Sequence, residues 1–115
     1  MDISNLFCTF AAQLETTTDM TKNYTIYQLK KYDYLFFSYD YMKKKGFEIS
    51  LDNYRKVYSN QIESVGTDID ILNHLYTKFQ FIKPEGYKGH SLSVSDIVQI
   101  DDKYYYVDSY GFEKL

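Results

Sequence analysis

The chain contains no tryptophan, a single proline, a single cysteine and five glycines in 115 residues. One cysteine, Cys8, excludes an internal disulfide and accords with a reducing cytoplasm. No apolar run approaches the roughly 20 residues that span a bilayer, and no basic region precedes an apolar stretch at the N-terminus. A soluble, cytoplasmic protein is therefore expected, with no membrane association. Basic charge is in deficit: thirteen Lys and Arg against sixteen Asp and Glu give a net charge of −3 and a pI near 5.3. That balance argues against a broad nucleic-acid footprint, and the run Lys43 to Lys45 reads as a solvated helix end. An excess of three negative charges is also too small to imply mimicry of nucleic acid.

Metal and nucleotide chemistry lack their usual signatures. Cys8, His74 and His90 show no helix or knuckle spacing for zinc. Asp70 and His74 share one helix face, but a shell there would need His90 or a second chain, so the pair reads as a capping aspartate beside a surface histidine. There is no glycine-rich phosphate loop. No cofactor and no metal are expected.

Tyrosine is what the chain has in excess, with fourteen tyrosines and eight phenylalanines making 19% of residues aromatic. A tyrosine buries its ring but needs a partner or water for its hydroxyl, so many are expected at the surface, where they suit protein binding. The length fits one domain, able to bury roughly two thirds of its unfolded surface without a metal or disulfide.

Along the chain, Ile3, Leu6, Phe7, Phe10, Ala11 and Leu14 form the stripe of an amphipathic helix over residues 1–15. A polar linker leads to residue 20. That helix either packs back on the fold or offers its stripe to a second copy, giving a homodimer. Residues 21–115 form the main domain. Tyr24 to Leu29 alternates as a strand, Tyr34 to Phe37 fits either a strand or a helix start, and Ser38 caps a short helix that Gly46 ends. Tyr54, Val57, Tyr58 and Ile62 have helical spacing but β-forming composition, and a strand after a turn at Ser50 to Asn53 is the favoured reading. Thr67 and Asp70 make a capping box for a helix that buries Ile71, Leu72, Leu75, Tyr76 and Phe79. Pro84, Gly86 and Gly89 define the loop that follows.

The densest β signal lies between Gly89 and Phe112. Ile97 to Ile100 and Lys103 to Val107 read as a hairpin turning at Asp101 and Asp102, with a second turn at Asp108 to Gly111. Alternation sends Tyr104 and Tyr106 to one face and Tyr105 and Val107 to the other, as in an internal strand. Gly89 and Gly111 are expected at positive φ. The fold class is α+β: an antiparallel sheet of about four or five strands with helices packed on one face, plus the N-terminal helix.

The segments GHSLSVSDIVQI and YYVDSYGF, preceded in order by YTIYQLK, GFEISLDNYRKVYSNQI and FIKPEGYKGHS, resemble the signature of the YodL-like domain family from Tyr24 to Leu115. The resemblance implies a module of mobile genetic elements of Gram-positive bacteria, often near antirestriction genes and without an assigned chemistry.

Two classes of function follow. The favoured one is a non-enzymatic protein-binding module, expected in the mobile-element setting that the resemblance implies to be a counter-defence inhibitor of the anti-CRISPR or antirestriction type, with a CRISPR effector or restriction enzyme as its partner. Tyr104, Tyr105, Tyr106 and Tyr110, with Tyr39 and Tyr41 beside them, are its candidate contacts. A regulatory module in conjugation differs from it only in its partner. The other class is a small hydrolase or metal-binding protein built on His90 and the segment Ser91 to Ser95, with Asp96 or Asp108 orienting the histidine. Against it, Ser91, Ser93 and Ser95 alternate with Leu92 and Val94 as the solvent face of a strand would, and Asp96 is placed to accept main-chain N–H bonds.

Overall fold

A computed structural model of the chain describes residues 21–31, 36–63 and 66–115. The expected helix over residues 1–15, its linker, Cys8 and residues 32–35 lie outside the described residues. Strand β1 (Thr21–Leu29) is followed by helix α1 (Tyr39–Lys44), a 3-10 turn (Leu51–Asn53), β2 (Tyr54–Glu63), helix α2 (Asp68–Phe81), β3 (Ile97–Ile100), β4 (Lys103–Val107) and β5 (Phe112–Lys114). The strands form one sheet in the order β2-β1-β3-β4-β5, antiparallel throughout. Strands β2 and β3 flank β1, so the connection between them, which contains α2, crosses over it.

Period-two alternation gives the sheet two apolar faces. Tyr24 and Ile26 of β1, Val98 and Ile100 of β3, and Tyr105 and Val107 of β4 pack with Ile71, Leu72, Leu75 and Phe79 of α2. Leu29, Ile97 and Tyr106 belong to the opposite face, with Met42 of α1 and Tyr54. The expected single helical layer is therefore replaced by two, because β3 and β4 are apolar on both sides and each side must be covered.

Local chemistry sets the ends of the elements. The Ser38 hydroxyl accepts the Tyr41 N–H at 3.2 Å to start α1, and Gly46 follows its end at φ +77°. Thr67 and Asp70 bond reciprocally at the start of α2, at 3.3 and 3.0 Å. The β3–β4 turn places Asp101 at φ +52°, and Asp101 ties the hairpin to β1 by exchanging bonds with Asn23. At the second turn Gly111 has φ +76°, as expected.

Strand β2 carries an irregularity. Ile26 pairs with Tyr58 but Tyr27 pairs with Lys56, leaving Val57 as an extra residue. The bulge turns both Val57 and Tyr58 toward the α2 face, while Tyr54 stays on the α1 face.

Candidate functional site

Among the described residues Gln28, Ser95 and Asp96 are the buried polar ones, and they converge where β1 ends beside the loop entering β3. Gln28 Oε1 accepts the His90 N–H at 3.1 Å, and Gln28 Nε2 donates to the His90 carbonyl at 2.8 Å and to Asp96 Oδ2 at 3.1 Å. The Gln28 side chain thus does for the main chain at residue 90 what a neighbouring strand would do. Asp96 Oδ2 also accepts the Ser93 N–H at 2.8 Å, and the Tyr87 hydroxyl donates to the His90 carbonyl at 2.8 Å.

Burial pushes the Asp96 carboxyl up to about 8, against the opposing pull of the Ser93 and Gln28 bonds and of the Arg55 charge. At neutral pH the group is therefore mostly an acid with its proton on. Both donors meet Oδ2, while Oδ1 has no hydrogen-bond partner among the described residues. The knot is a fastening, which places the loop of residues 89–96 against β1 and β2.

Gly89 belongs to this fastening for a reason other than the one expected. Its φ is not in the left-handed region; instead a Cβ there would meet Gln28 Oε1 at 2.1 Å and Val57 at 3.0 Å. Segment 91–95 is not a strand, so the expected alternation of serines fails: Ser95 is fully buried at φ +87°. The other two hydroxyls bond main-chain carbonyls, Ser93 to Ser91 at 2.8 Å and Ser91 to Gln80 at 3.5 Å. His90 Nδ1 lies 2.7 Å from the Ser91 carbonyl and 3.3 Å from Gln28 Nε2. The Asp108 carboxylate accepts the Tyr39 and Ser109 N–H groups, far from the role of orienting a histidine.

From this fastening the chain presents an aromatic ledge. Three bonds tie residues 36–39 down: Phe36 N–H to Ser95 Oγ at 3.2 Å, the Tyr106 hydroxyl to the Phe37 carbonyl at 2.6 Å, and Tyr39 N–H to Asp108 Oδ1 at 3.1 Å. Phe37 meets Tyr41 edge-on at 4.7 Å between centroids and stacks on Phe47 at 6.3 Å. Phe36 itself sits at φ +70°, a costly conformation for a bulky residue, with its side chain exposed. A shallow depression of about 290 Å³ is lined by Phe36, Phe37, Ser38, Tyr41 and Ser109. Beside Ser109, Tyr110 is 96% exposed, the most exposed of the large apolar side chains among the described residues.

The six tyrosines proposed as contacts divide accordingly. Tyr105 and Tyr106 are core residues, their hydroxyls donating to Asp68 Oδ2 at 2.7 Å and to the Phe37 carbonyl, and so they are withdrawn from any surface of the folded chain. Burial and the Asp68 carboxylate push the Tyr105 phenol up to about 12. Tyr104 is half-buried against Tyr27, and Tyr39 is half-buried against Tyr106. Only Tyr41 and Tyr110 stand out into solvent. Tyrosine abundance thus reflects the core as much as the surface: Tyr54 also donates internally, to the Ser95 carbonyl at 2.6 Å, and Tyr27 to Gln99 Oε1 at 2.8 Å. Phe36 and Gln28 were missed by sequence reasoning; a glutamine on the apolar face of a strand was the available signal for the second.

His74 and Asp70 are both exposed on α2, and no group of three His, Cys, Asp or Glu able to hold a metal occurs among the described residues. No helix among them is long and apolar enough to cross a membrane. No curated protein and no solved structure matches the chain. Residues 23–115, which include the polar fastening and the whole of the described ledge, match the family model described as YodL-like domain, and the chain belongs to that family.

Proposed function

We propose that this YodL-like chain is a non-enzymatic protein-binding module whose contact surface is the ledge of Phe36, Tyr41 and Tyr110. The observation that carries the reading is the tethering of residues 36–39 by Ser95, Tyr106 and Asp108, which fixes the main chain that bears exposed Phe36 and leads into α1 with Tyr41. Preorganised aromatics lose little entropy on binding, and such anchors carry much of the energy of an interface. The non-enzymatic character rests on the commitment of the Ser91 and Ser93 hydroxyls to main-chain carbonyls. The partner class proposed is a host defence complex such as a CRISPR effector or restriction enzyme, for which the only support is the mobile-element setting that the family resemblance implies.

Photo-crosslinking tests the surface. With a benzophenone side chain placed at position 110 or 41, a discrete adduct is expected in a defence-bearing host, and none from position 69, where exposed Ile69 lies on α2. Adducts from position 69 alone, or from none of the three, reject the ledge. Plasmid-interference assays test the partner class: interference left intact in every CRISPR and restriction system tried rejects counter-defence.

A further inference from the structure

The ledge adjoins the chain's main concentration of positive charge. Residues 30–48 hold five lysines against three acidic residues, whereas the remaining 96 residues hold eight basic against thirteen acidic. Lys43, Lys44 and Lys45 are all exposed at the end of α1. Two of them stand over the ledge's own rings, Lys43 Nζ 5.7 Å from the centroid of Tyr39 and Lys45 Nζ 5.7 Å from that of Tyr41. Three carboxylates lie near them: exposed Asp40 in the first turn of α1, exposed Glu48 just after it, and Asp108, which accepts the Tyr39 and Ser109 N–H groups, so it is the run of three adjacent lysines rather than the net charge that marks this end of α1.

We propose that the ledge takes an acidic segment of a partner protein, with one apolar side chain seated among Phe36, Tyr41 and Ser109 and flanking carboxylates on Lys43, Lys44 and Lys45. This rests on the protein-binding reading above. The depression of about 290 Å³ is shallow and open rather than an enclosed cleft, and it has room for one apolar side chain. Complementary charge then selects the sequence around that side chain and speeds encounter. A single-stranded nucleic acid also stacks on aromatics beside lysines, but its backbone needs a longer basic track than three lysines, and in the chain as a whole acidic residues outnumber basic ones, sixteen to thirteen.

The test titrates the isotope-labelled full chain with a twelve-residue peptide of glutamates around one phenylalanine, followed by NMR. Three comparison probes are the same peptide with lysine for glutamate, the same peptide with alanine for phenylalanine, and a twelve-nucleotide oligothymidine. The acidic phenylalanine peptide is expected to shift resonances of residues 36–45 and 108–110, with affinity falling as salt rises. A Lys43→Glu, Lys44→Glu, Lys45→Glu variant should bind it roughly tenfold more weakly and prefer the lysine peptide instead. Equal binding of the acidic and basic peptides to the wild-type chain, matching shifts with oligothymidine, or no shifts at all with the acidic peptide overturns the proposal. If, with the crosslinker at position 41, the charge variant keeps its partner at full yield while Tyr110→Ala loses it, the protein-binding reading stands and the acidic segment falls; if neither variant loses the partner, both fall.

Discussion

The two faces of the sheet are built from different materials. On one, the fourteen-residue helix α2 is capped at its start and buries Leu72, Leu75 and Phe79 against Ile26, Val98 and Ile100. On the other, α1 has six residues, too few to be stable alone, and buries Met42 against Leu29, Ile97, Tyr54 and Tyr106. That second face is fastened by directed bonds: Tyr54 and Tyr106 donate to main-chain carbonyls, and Ser95 and Asp108 receive main-chain N–H groups. Apolar burial is strong but non-directional, whereas a hydrogen bond contributes little net energy and fixes a position. The α2 face, which buries the larger apolar cluster and has directed bonds of its own such as Tyr105 to Asp68, is therefore expected to supply most of the stability, and the α1 face mainly placement.

The largest effect that could break this contrast comes from truncating the α2 face. Phe79 is fully buried and contacts the rings of Tyr24, Tyr58 and Tyr87, so Phe79→Ala should cost about 3–5 kcal/mol in urea unfolding. A loss under about 1.5 kcal/mol would mean the α2 face is not the main store of stability.

The polar fastening gives the next effect, through pH. In the unfolded chain the Asp96 carboxyl returns to near 3.8, whereas burial holds it at about 8 in the fold. The folded chain therefore keeps a proton that the unfolded chain gives up between those values. Its contribution is complete below about pH 4, declines as pH rises toward 8 and is lost above it. Asp96→Asn, which keeps the shape and cannot ionise, should flatten that part of the stability profile. A wild-type profile that is already flat from pH 5 to pH 8 would mean the carboxyl is ionised in the fold.

Period and composition made most of the strands legible in the sequence. The β3–β4 hairpin, the Thr67 capping box and the Ser38 cap all follow from neighbours within a few residues. The helical spacing of Tyr54, Val57, Tyr58 and Ile62 has its cause in the bulge at Val57, which interrupts the period of two so that a strand imitates a helix. Other features were hidden because they depend on residues far apart in the chain. Gly89 looked like a turn glycine, yet its need for hydrogen arises from Gln28, 61 positions earlier. The burial of Tyr105 and Tyr106 follows from their place on an internal strand covered on both faces, and the suitability of tyrosine for interfaces does not by itself tell which tyrosines face water. The ledge was half legible: Tyr110 and Tyr41 were named, while the strained Phe36 emerges only once Ser95 is brought beside it.

A smaller effect sharpens the idea that the α1 face is about placement. Tyr106→Phe leaves the ring and its packing unchanged and removes the bond to the Phe37 carbonyl. The cost should be about 1–2 kcal/mol, well below that of Phe79→Ala, since one main-chain acceptor loses its donor. Amide exchange at residues 36–39 should quicken while that of α2 stays as it was. Equal quickening in both would mean the hydroxyl supports the whole domain rather than the ledge.

The smallest expected change in stability falls on Phe36, and it separates placement from stability most cleanly. Holding a phenylalanine at φ +70° costs on the order of 1–2 kcal/mol, a strain that glycine does not feel. Because the Phe36 ring is 62% exposed, removing it forfeits little burial. Glycine in turn adds conformational entropy to the unfolded chain, worth roughly 0.5–1 kcal/mol. These terms nearly cancel, so Phe36→Gly should leave the urea midpoint within about 0.5 kcal/mol of the wild type. If the ledge is the contact surface, the same substitution should sharply lower the crosslinking yield from position 110, since it removes an aromatic wall of the depression. A loss of more than about 1.5 kcal/mol would make Phe36 a packing residue, and an unchanged yield would remove it from the interface.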